Sequence, residues 1–248
     1  MIKKIEGIIV STVDYGENSK ILNVLTKEDG IIGLYAKGCK RPKSLIAATS
    51  NVLTYGIFHF NEKNEKLSNL MEVDIIENFE NLKQNFSKIS YALYITELAS
   101  KVYKHSSNNS IYPLLITALK KIDAGLDGEV VCDIVELKLL DDLGIKPVID
   151  RCVNCGKKDN IVTLSSYKGG YLCKNCANGE KIFNIKTLKL VKMFYYLDLE
   201  KVTKLEISDN IKRELVLFIN DYYDRYSGLY LKTKNFIDKY QYLISDAN

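Results

Sequence analysis

The most constraining feature of this chain is a set of two closely spaced Cys-x-x-Cys pairs. They are "CVNC", which begins at Cys152, and "CKNC", which begins at Cys173, so the full spacing is C-x₂-C-x₁₇-C-x₂-C. A tight turn can aim both sulfurs of a pair at one side of a tetrahedral ion. The spacing therefore predicts one structural Zn²⁺ ion, held by Cys152, Cys155, Cys173 and Cys176.

Other readings of the four thiols stay open from the residues alone. A redox-active dithiol needs a Cys-x-x-Cys at the start of a helix in a βαβ context, and neither pair shows that context. Unligated cysteines are the remaining possibility. A zinc-dependent hydrolase is disfavoured because a site of four cysteines leaves no open position for water, so we expect the metal to organise structure.

The cellular compartment bears on these readings. No apolar run reaches the roughly 18 residues that span a bilayer, and the N-terminal "MIKKIEGIIVSTVDYGENSK" lacks the pattern of a signal peptide. We therefore expect a cytoplasmic protein without a membrane partner. Disulfides are rare in that compartment, which favours metal binding by paired cysteines.

The first part of the chain has the pattern of short β-strands. Five β-rich segments are separated by turn residues, and they are "IEGIIVSTVDY", "KILNVLT", "GIIGLYAKG", "LTYGIFHF" and "LMEVDIIE". Gly30 ends the turn "KEDG" and is placed to take a positive φ. The pattern predicts a small barrel such as the OB-fold over residues 1–78, with a simple meander sheet as the alternative.

From Phe79 onward the apolar period becomes helical. Phe79, Leu82, Phe86, Ile89 and Leu93 predict one helix that continues to about Tyr103. Further helices are predicted over "YPLLITALKKI", "EVVCDIVELKLLDDLG", "NIKTLKLVKMFYYL" and "SDNIKRELVLFINDYYDRYSG". The expected fold class is α+β, with the barrel followed by an all-α domain over residues 79–248. The zinc knuckle interrupts that domain at about residues 150–178.

Positive charge is concentrated in two blocks of the chain. Residues 1–50 contain 8 Lys/Arg against 5 Asp/Glu, and residues 146–186 contain 8 against 3. Such concentration favours a polyanionic partner, although charged blocks also occur in ordinary soluble proteins. In the first block, the loop "AKGCKRPKS" supplies the cations that we expect to contact phosphates, namely Lys37, Lys40, Arg41 and Lys43. A second, weaker set comprises Arg151, Lys157, Lys168 and Lys174.

The chain shows no catalytic motif. Its two histidines, His59 and His105, read as a strand residue and a helix-end residue, and no HExxH or G-x-S-x-G occurs. "GLYAKGC" has two glycines at P-loop spacing but lacks the Lys-Ser/Thr that must follow the second. We therefore expect a binding protein and not an enzyme. Tyr35 and Tyr55 lie near the basic loop, where they either stack on bases or belong to the core.

Several stretches together resemble a known family, the bacterial recombination mediator RecO. They are, in order, "EGIIVSTVDYGENSKILNVLTKEDG", "AKGCKRPKS", "LKLLDDLGIKPVIDRCVNCG", "SSYKGGYLC" and "LKTKNFI". The resemblance spans nearly the whole chain. It implies an OB-fold joined to a helical domain with a zinc knuckle.

The resemblance also implies a function. A protein similar to RecO would bind single- and double-stranded DNA (ssDNA and dsDNA) and anneal complementary strands in DNA repair. With RecR it would promote loading of RecA onto ssDNA coated with single-strand DNA-binding protein (SSB), and it would contact the C-terminal tail of SSB. It would work in the cytoplasm and associate with the nucleoid during repair.

A second class of function remains open. The zinc knuckle and the tyrosine-rich "NDYYDRYSGLYL" suggest a non-catalytic protein-interaction adaptor, since exposed aromatic residues are common anchors at interfaces. DNA binding would then be weak and incidental.

Overall fold

A computed structural model of the chain describes residues 2–63, 67–234 and 237. The described residues form two compact units. The first is drawn from residues 1–123 and 231–248, and the second from residues 124–230. The first unit contains an N-terminal sheet followed by helices, and the second contains helices and a short β-hairpin.

The N-terminal sheet is a closed barrel. Its strands are β1 (Ile2–Tyr15), β2 (Ser19–Thr26), β3 (Ile31–Ala36), β4 (Tyr55–Asn61) and β5 (Ser68–Glu77), and they close in the order β1-β2-β3-β5-β4. The long β1 pairs with β4 along its first half and with β2 along its second, and a bulge interrupts the register between Ile9 and Ser11. β3 meets β5 in parallel at Leu34 and Ser68. This closure confirms the OB-type barrel, because a meander would pair β3 with β4 instead.

The barrel interior is filled by alternate residues of all five strands. Its buried members include Ile5, Ile9, Leu22, Val24, Leu34, Phe58, Phe60 and Leu70. Gly30 has φ +68° and its carbonyl accepts the Thr26 N–H at 2.7 Å, which confirms the predicted turn. At Gly56 an added Cβ would lie 2.4 Å from the Asp74 carbonyl oxygen, so only glycine permits this approach of β4 and β5.

The predicted long helix after the barrel is wrong, because two helices stand in its place. They are α1 (Glu80–Gln84) and α2 (Phe86–Ser106), and α3 (Ile111–Asp123) follows. Phe79 precedes α1 in a left-handed conformation with φ +49°. Asn85 is extended, and its side chain accepts the Lys88 N–H at 3.0 Å. This N-cap begins a new helix at Phe86.

The buried face of α2 also differs from the prediction. Phe86 is 53% exposed, and Ile89 and Leu93 are only partly buried. The buried residues lie farther along the helix and include Ile95, Leu98, Ala99 and Val102. The predicted apolar period combines residues from two separate helices, so it does not follow the buried face of either helix.

The helices of the second unit are α4 (Gly128–Leu139), α5 (Ile185–Tyr196) and α6 (Asp209–Tyr226). The three predicted helices are confirmed, and their apolar residues are buried, namely Val131, Ile134, Leu137, Leu140, Leu188, Val191, Tyr195, Ile211, Leu215, Phe218 and Tyr222. α4 ends five residues earlier than predicted. Gly144, with φ +70°, instead closes the turn that follows, and its N–H bonds to the Asp141 carbonyl at 2.9 Å.

The change from strands to helices falls between Glu77 and Glu80, so the α+β class is confirmed. The domain ranges 1–78 and 79–248 stay a prediction, and the compact grouping places α1 to α3 with the barrel. The C-terminal segment "LYLKTKNFIDKY" lies partly outside the described residues. Within the residues that are described, no helix has the length and apolarity needed to cross a bilayer.

Candidate metal centre and nucleic-acid interface

The four cysteines of the two Cys-x-x-Cys pairs come together in the second unit. The sulfurs of Cys152, Cys155, Cys173 and Cys176 all lie within 4.8 Å of one another. Cys155 Sγ and Cys173 Sγ are 3.6 Å apart. A tetrahedral ion with metal–sulfur bonds of about 2.3 Å places its ligand sulfurs about 3.8 Å apart. The cluster therefore fits one tetrahedral metal ion.

The first pair is shaped by a tight turn. The Gly156 N–H donates to the Cys152 carbonyl at 2.9 Å, and the Cys152 N–H donates to the Lys157 carbonyl at 2.7 Å. Gly156 has φ +75°, a conformation that glycine adopts without strain. The glycine of "CVNCG" is thus the residue that folds the pair back so that both sulfurs face one point.

The second pair follows a β-hairpin that the sequence patterns did not reveal. Its strands are β6 (Ile161–Ser165) and β7 (Gly170–Cys173), and Ile161 pairs with Cys173. Cys152 and Cys173 are buried together with Leu172 and Ala177 in a small apolar cluster. Both strands are too short to give a clear alternating pattern. The glycines of "KGGY" indicate a turn, and they are the signal that could have located the hairpin. The hairpin fixes one sulfur pair against the other.

The electrostatics of the cluster also favour a cation. Burial raises the pKa of the Cys152 thiol, but backbone N–H donors from Cys173, Cys155 and Asn154 outweigh burial and lower its pKa to about 6. Hydrogen bonds with Cys173 and Cys155 raise the pKa of Cys176 to about 12. Four neighbouring sulfurs therefore do not all ionise unaided, whereas a divalent cation stabilises all of them as thiolates.

The local structure of the two Cys-x-x-Cys pairs does not support a redox-active dithiol. Cys152 and Cys155 lie in a turn, Cys173 ends β7, and Cys176 lies in the turn that follows. Neither pair begins a helix, so neither has the helix N-terminus that lowers the thiol pKa in dithiol catalysts.

The basic loop follows β3 at one edge of the barrel. All four of its cations are exposed, namely Lys37, Lys40, Arg41 and Lys43. The loop is held by Cys39, which is 4% exposed and packs into the barrel core. The Gly38 N–H donates to Ser19 Oγ at 3.0 Å, and the Lys40 N–H donates to the Asn18 carbonyl at 3.0 Å. The loop backbone is therefore fixed while its charges face water.

One of the four cations has an acidic neighbour. Lys40 Nζ lies 2.7 Å from a carboxylate oxygen of Asp14, and this hydrogen bond lowers the pKa of Asp14. The Asp14 side chain is largely exposed, so a phosphate can replace it at little cost. For Lys37, Arg41 and Lys43, no ion pair is formed with any residue that the structure describes.

The two tyrosines named near the loop differ in position. Tyr55 is buried and donates to Glu6 Oε1 at 2.8 Å, so the core reading holds for it. Tyr35 is partly buried and meets Tyr15 edge-on, with ring centroids 5.4 Å apart. Tyr15 is 54% exposed at the end of β1 and was not singled out from the sequence. The exposed aromatic residue of this barrel edge is therefore Tyr15.

Comparison with known proteins agrees with this architecture. Family models described as Recombination protein O N terminal and C terminal match residues 1–79 and 83–235. The DNA repair protein RecO of Halalkalibacterium halodurans is 37% identical over 244 residues, which is 96% of this chain and 95% of that protein. The chain belongs to the RecO family. Its role therefore lies in DNA repair and recombination.

Two further RecO proteins support the assignment. Those of Bacillus pumilus and Bacillus subtilis are 34% and 33% identical over 243 residues, which is 96% of this chain and 94% and 95% of theirs. RecO proteins are recombination mediators, and the barrel, the helices and the Cys₄ cluster of this chain all occur within the matched residues.

The second set of cations in this RecO family member lies in the second unit, with three of them close to the cysteines in the chain and Lys168 in the β6–β7 turn. Arg151, Lys157, Lys168 and Lys174 are all exposed in the second unit. Arg151 lies 3.4 Å from Asp150, and it lines a cavity of about 330 Å³ together with Lys146 and Tyr196. The structure thus places four predicted cations on one loop of the first unit, three beside the cysteines of the second, and Lys168 in the β6–β7 turn.

His59 has a role in the barrel that its sequence context did not indicate. Its Nε2 lies 2.8 Å from Asp74 and its Nδ1 lies 3.3 Å from Glu72. His59 is a strand residue of β4, as predicted, and both of its nitrogens face carboxylates of β5. Because each nitrogen has an acidic partner on β5, the cluster links the two strands.

Proposed function

We propose that this protein binds ssDNA and dsDNA and anneals complementary strands as a non-catalytic recombination mediator. The observation that carries the proposal is the basic loop, whose four exposed cations stand on a rigid turn at the edge of a closed barrel. Cations that contact phosphates release condensed counterions, which supplies affinity without regard to sequence. Annealing requires only such charge screening and room for bases to meet.

The proposal is tested by a strand-annealing assay over a salt series. Two labelled complementary oligonucleotides are mixed with the wild-type protein or with a variant in which Lys37, Lys40, Arg41 and Lys43 are alanine. A control variant changes Lys101, Lys104, Lys189 and Lys192, which are equally exposed and remove the same charge. We expect annealing that weakens with salt, strong loss in the loop variant and little loss in the control.

The outcomes separate three readings. Annealing that survives the loop changes moves the DNA path to Arg151, Lys157, Lys168 and Lys174. An equal loss in both variants attributes the effect to net charge alone. Absence of DNA binding by the wild-type protein at low salt contradicts the proposal.

We also propose the partners that family membership suggests. These are RecR, the C-terminal tail of SSB and, indirectly, RecA, with work in the cytoplasm at the nucleoid during repair. The test is RecA filament formation on SSB-coated ssDNA with and without RecR. Equal RecA loading in the presence and absence of this protein contradicts the proposal.

We propose zinc as the ion of the Cys₄ cluster. Thiolate ligands favour soft ions, and a closed tetrahedral set of four cysteines is the usual structural zinc site. Cys152, Cys155, Cys173 and Cys176 would hold it, and the ion would cross-link the turn at Cys152 to the β6–β7 hairpin. Arg151, Lys157 and Lys174 would offset the charge of the tetrathiolate.

The adaptor reading loses two of its four tyrosine anchors, since Tyr226 and Tyr230 are 40% and 67% exposed but the other two are buried. Tyr222 and Tyr223 are each 3% exposed, and their hydroxyls donate to the backbone carbonyls of Ile145 and Glu136. These two tyrosines belong to the core of the second unit and are not available to a partner protein.

A further inference from the structure

A tyrosine at the tip of the β6–β7 hairpin is unusually exposed. Tyr167 is 67% exposed and lies in the turn that joins the two strands. Aromatic side chains normally bury part of their surface in a core or an interface. A tyrosine ring held in water at a hairpin tip is available for contact with another molecule.

Two cations approach this ring. Lys168 Nζ lies 5.1 Å from the Tyr167 ring centroid, and Arg225 Cζ lies 5.7 Å from it. Both distances are within the range of cation–π attraction. Arg225 belongs to α6, so the two charges reach the ring from different elements of the second unit.

The turn that carries Tyr167 is firmly attached to α6. The Tyr226 hydroxyl donates to the Ser166 carbonyl at 2.9 Å and to the Tyr167 carbonyl at 3.0 Å. Asp221 accepts from the Ser166 hydroxyl and, at 2.9 Å, from Arg225 Nε. The backbone that carries the ring, and the guanidinium, are therefore positioned before any ligand arrives, which reduces the entropy lost on binding.

We propose that Tyr167, Lys168 and Arg225 form a platform that binds one nucleotide of ssDNA, with an unpaired base stacked on the tyrosine ring. The proposal rests on the DNA binding proposed above and deepens it by naming a contact for single strands. Stacking on an aromatic ring accepts any base, because every base has a π face. The Arg225 bond to Asp221 uses Nε, so its terminal nitrogens can face a phosphate.

A nucleotide fits this platform better than an acidic peptide does. Carboxylates would use the two cations but would leave the exposed ring without a partner. A single strand supplies a flat apolar surface and an anion in each repeating unit. A duplex keeps its bases stacked on one another, so it can use the cations but not the ring.

The first test uses a fluorescent reporter that the sequence makes possible. The chain contains no tryptophan, so Tyr167→Trp introduces a single one. We expect its fluorescence to be quenched by oligo(dT) in a saturable manner, less by a duplex of equal length and not by polyglutamate. Tyr230→Trp is the matched control, because Tyr230 is also 67% exposed in the same unit.

The second test measures affinity. We expect Tyr167→Ala to weaken ssDNA binding by between about 5-fold and about 100-fold, the range measured when a base-stacking aromatic is replaced by alanine. Tyr167→Phe keeps the ring and should bind nearly as the wild type does. Duplex affinity should change little in either variant, and Tyr230→Ala should leave ssDNA affinity unchanged.

The outcomes distinguish this inference from the function on which it rests. If the wild-type protein binds no DNA, the proposed function fails first. If it binds ssDNA while Tyr167→Trp stays unquenched and Tyr167→Ala binds normally, only the platform is overturned. Equal quenching by polyglutamate would also overturn it, and would assign the site to an acidic peptide.

Discussion

Asp133 is a buried acid with one carboxyl oxygen left without a hydrogen bond among the described residues. It lies on α4 and is 2% exposed, and that oxygen is Oδ2. Burial, together with the neighbouring carboxylates of Glu136 and Glu129, raises its pKa well above the usual value. The folded state therefore binds a proton that the unfolded state releases, so stability falls as pH rises above about 4.

Replacing this acid should stabilise the protein at neutral pH. We expect Asp133→Asn to raise the free energy of unfolding by about 1–3 kcal/mol at pH 8, the usual cost of a buried unsatisfied group. The gain should be smaller at pH 5, because keeping a proton on the buried carboxyl costs less free energy at lower pH. Urea unfolding at both pH values measures it, with the exposed Asp159→Asn as control. Equal midpoints for wild type and variant at pH 8 would contradict the assignment.

The residues that sequence reasoning placed correctly are those whose chemistry is local. The four cysteines could be predicted because their spacing alone constrains the metal site. Cys39 could not, because its burial depends on how the basic loop folds over the barrel mouth. Tyr167 and Arg225 are 58 positions apart in the chain, and only the packing of the hairpin on α6 brings them together.

At the scale of secondary-structure elements, the break between α1 and α2 shows that apolar residues at helical spacing do not guarantee one continuous helix. Apolar residues at helical spacing continue across Asn85, but its side chain competes with the helical backbone by accepting the Lys88 N–H. The apolar pattern gives little indication of this capping bond. In the structure the bond starts α2 as a helix separate from α1.

The cap makes a direct prediction. We expect Asn85→Ala to lower the free energy of unfolding by about 1 kcal/mol, since the first turn of α2 loses an acceptor. Asn85→Asp keeps the acceptor and should have nearly wild-type stability. Chemical denaturation of the three proteins provides the comparison, and similar midpoints for the alanine and aspartate variants would argue against the cap.

The stability of the β6–β7 hairpin should depend on a metal ion bound by the four cysteines. We expect one zinc ion per chain by elemental analysis, and we expect removal by a strong chelator to expose the amides of β6 and β7 to hydrogen exchange. Cys173→Ser should lose the ion, whereas Cys132→Ser should keep it, because Cys132 lies buried in α4 away from the cluster. Unchanged thermal stability after complete metal removal would rule out the structural role.

At the scale of the whole molecule, the strands could be predicted but their order could not. Each strand is bounded by turn residues that act locally. Closure, however, requires β1 to pair with β4 and β3 with β5, contacts between segments far apart in the chain. Helices α4, α5 and α6 were predicted because each apolar period lies within a single helix.

The last prediction concerns the salt dependence of DNA binding by the basic loop and by the second set of cations. Each ssDNA phosphate that a cation contacts adds about 0.7 to the slope of log affinity against log salt concentration. Four full contacts in the basic loop would therefore contribute a slope of about 2.8. We expect the quadruple alanine variant of Lys37, Lys40, Arg41 and Lys43 to lose most of that amount in a fluorescence-anisotropy titration.

Single substitutions refine the same measurement. Lys40 already has Asp14 at 2.7 Å, so part of its charge is compensated before DNA arrives. Lys40→Ala should therefore reduce the slope less than Arg41→Ala, whereas Asp14→Asn should increase affinity at low salt. The slope left in the quadruple variant then measures the contribution of Arg151, Lys157, Lys168 and Lys174. A slope that stays unchanged in the quadruple variant would show that DNA follows the second cluster and not the barrel edge.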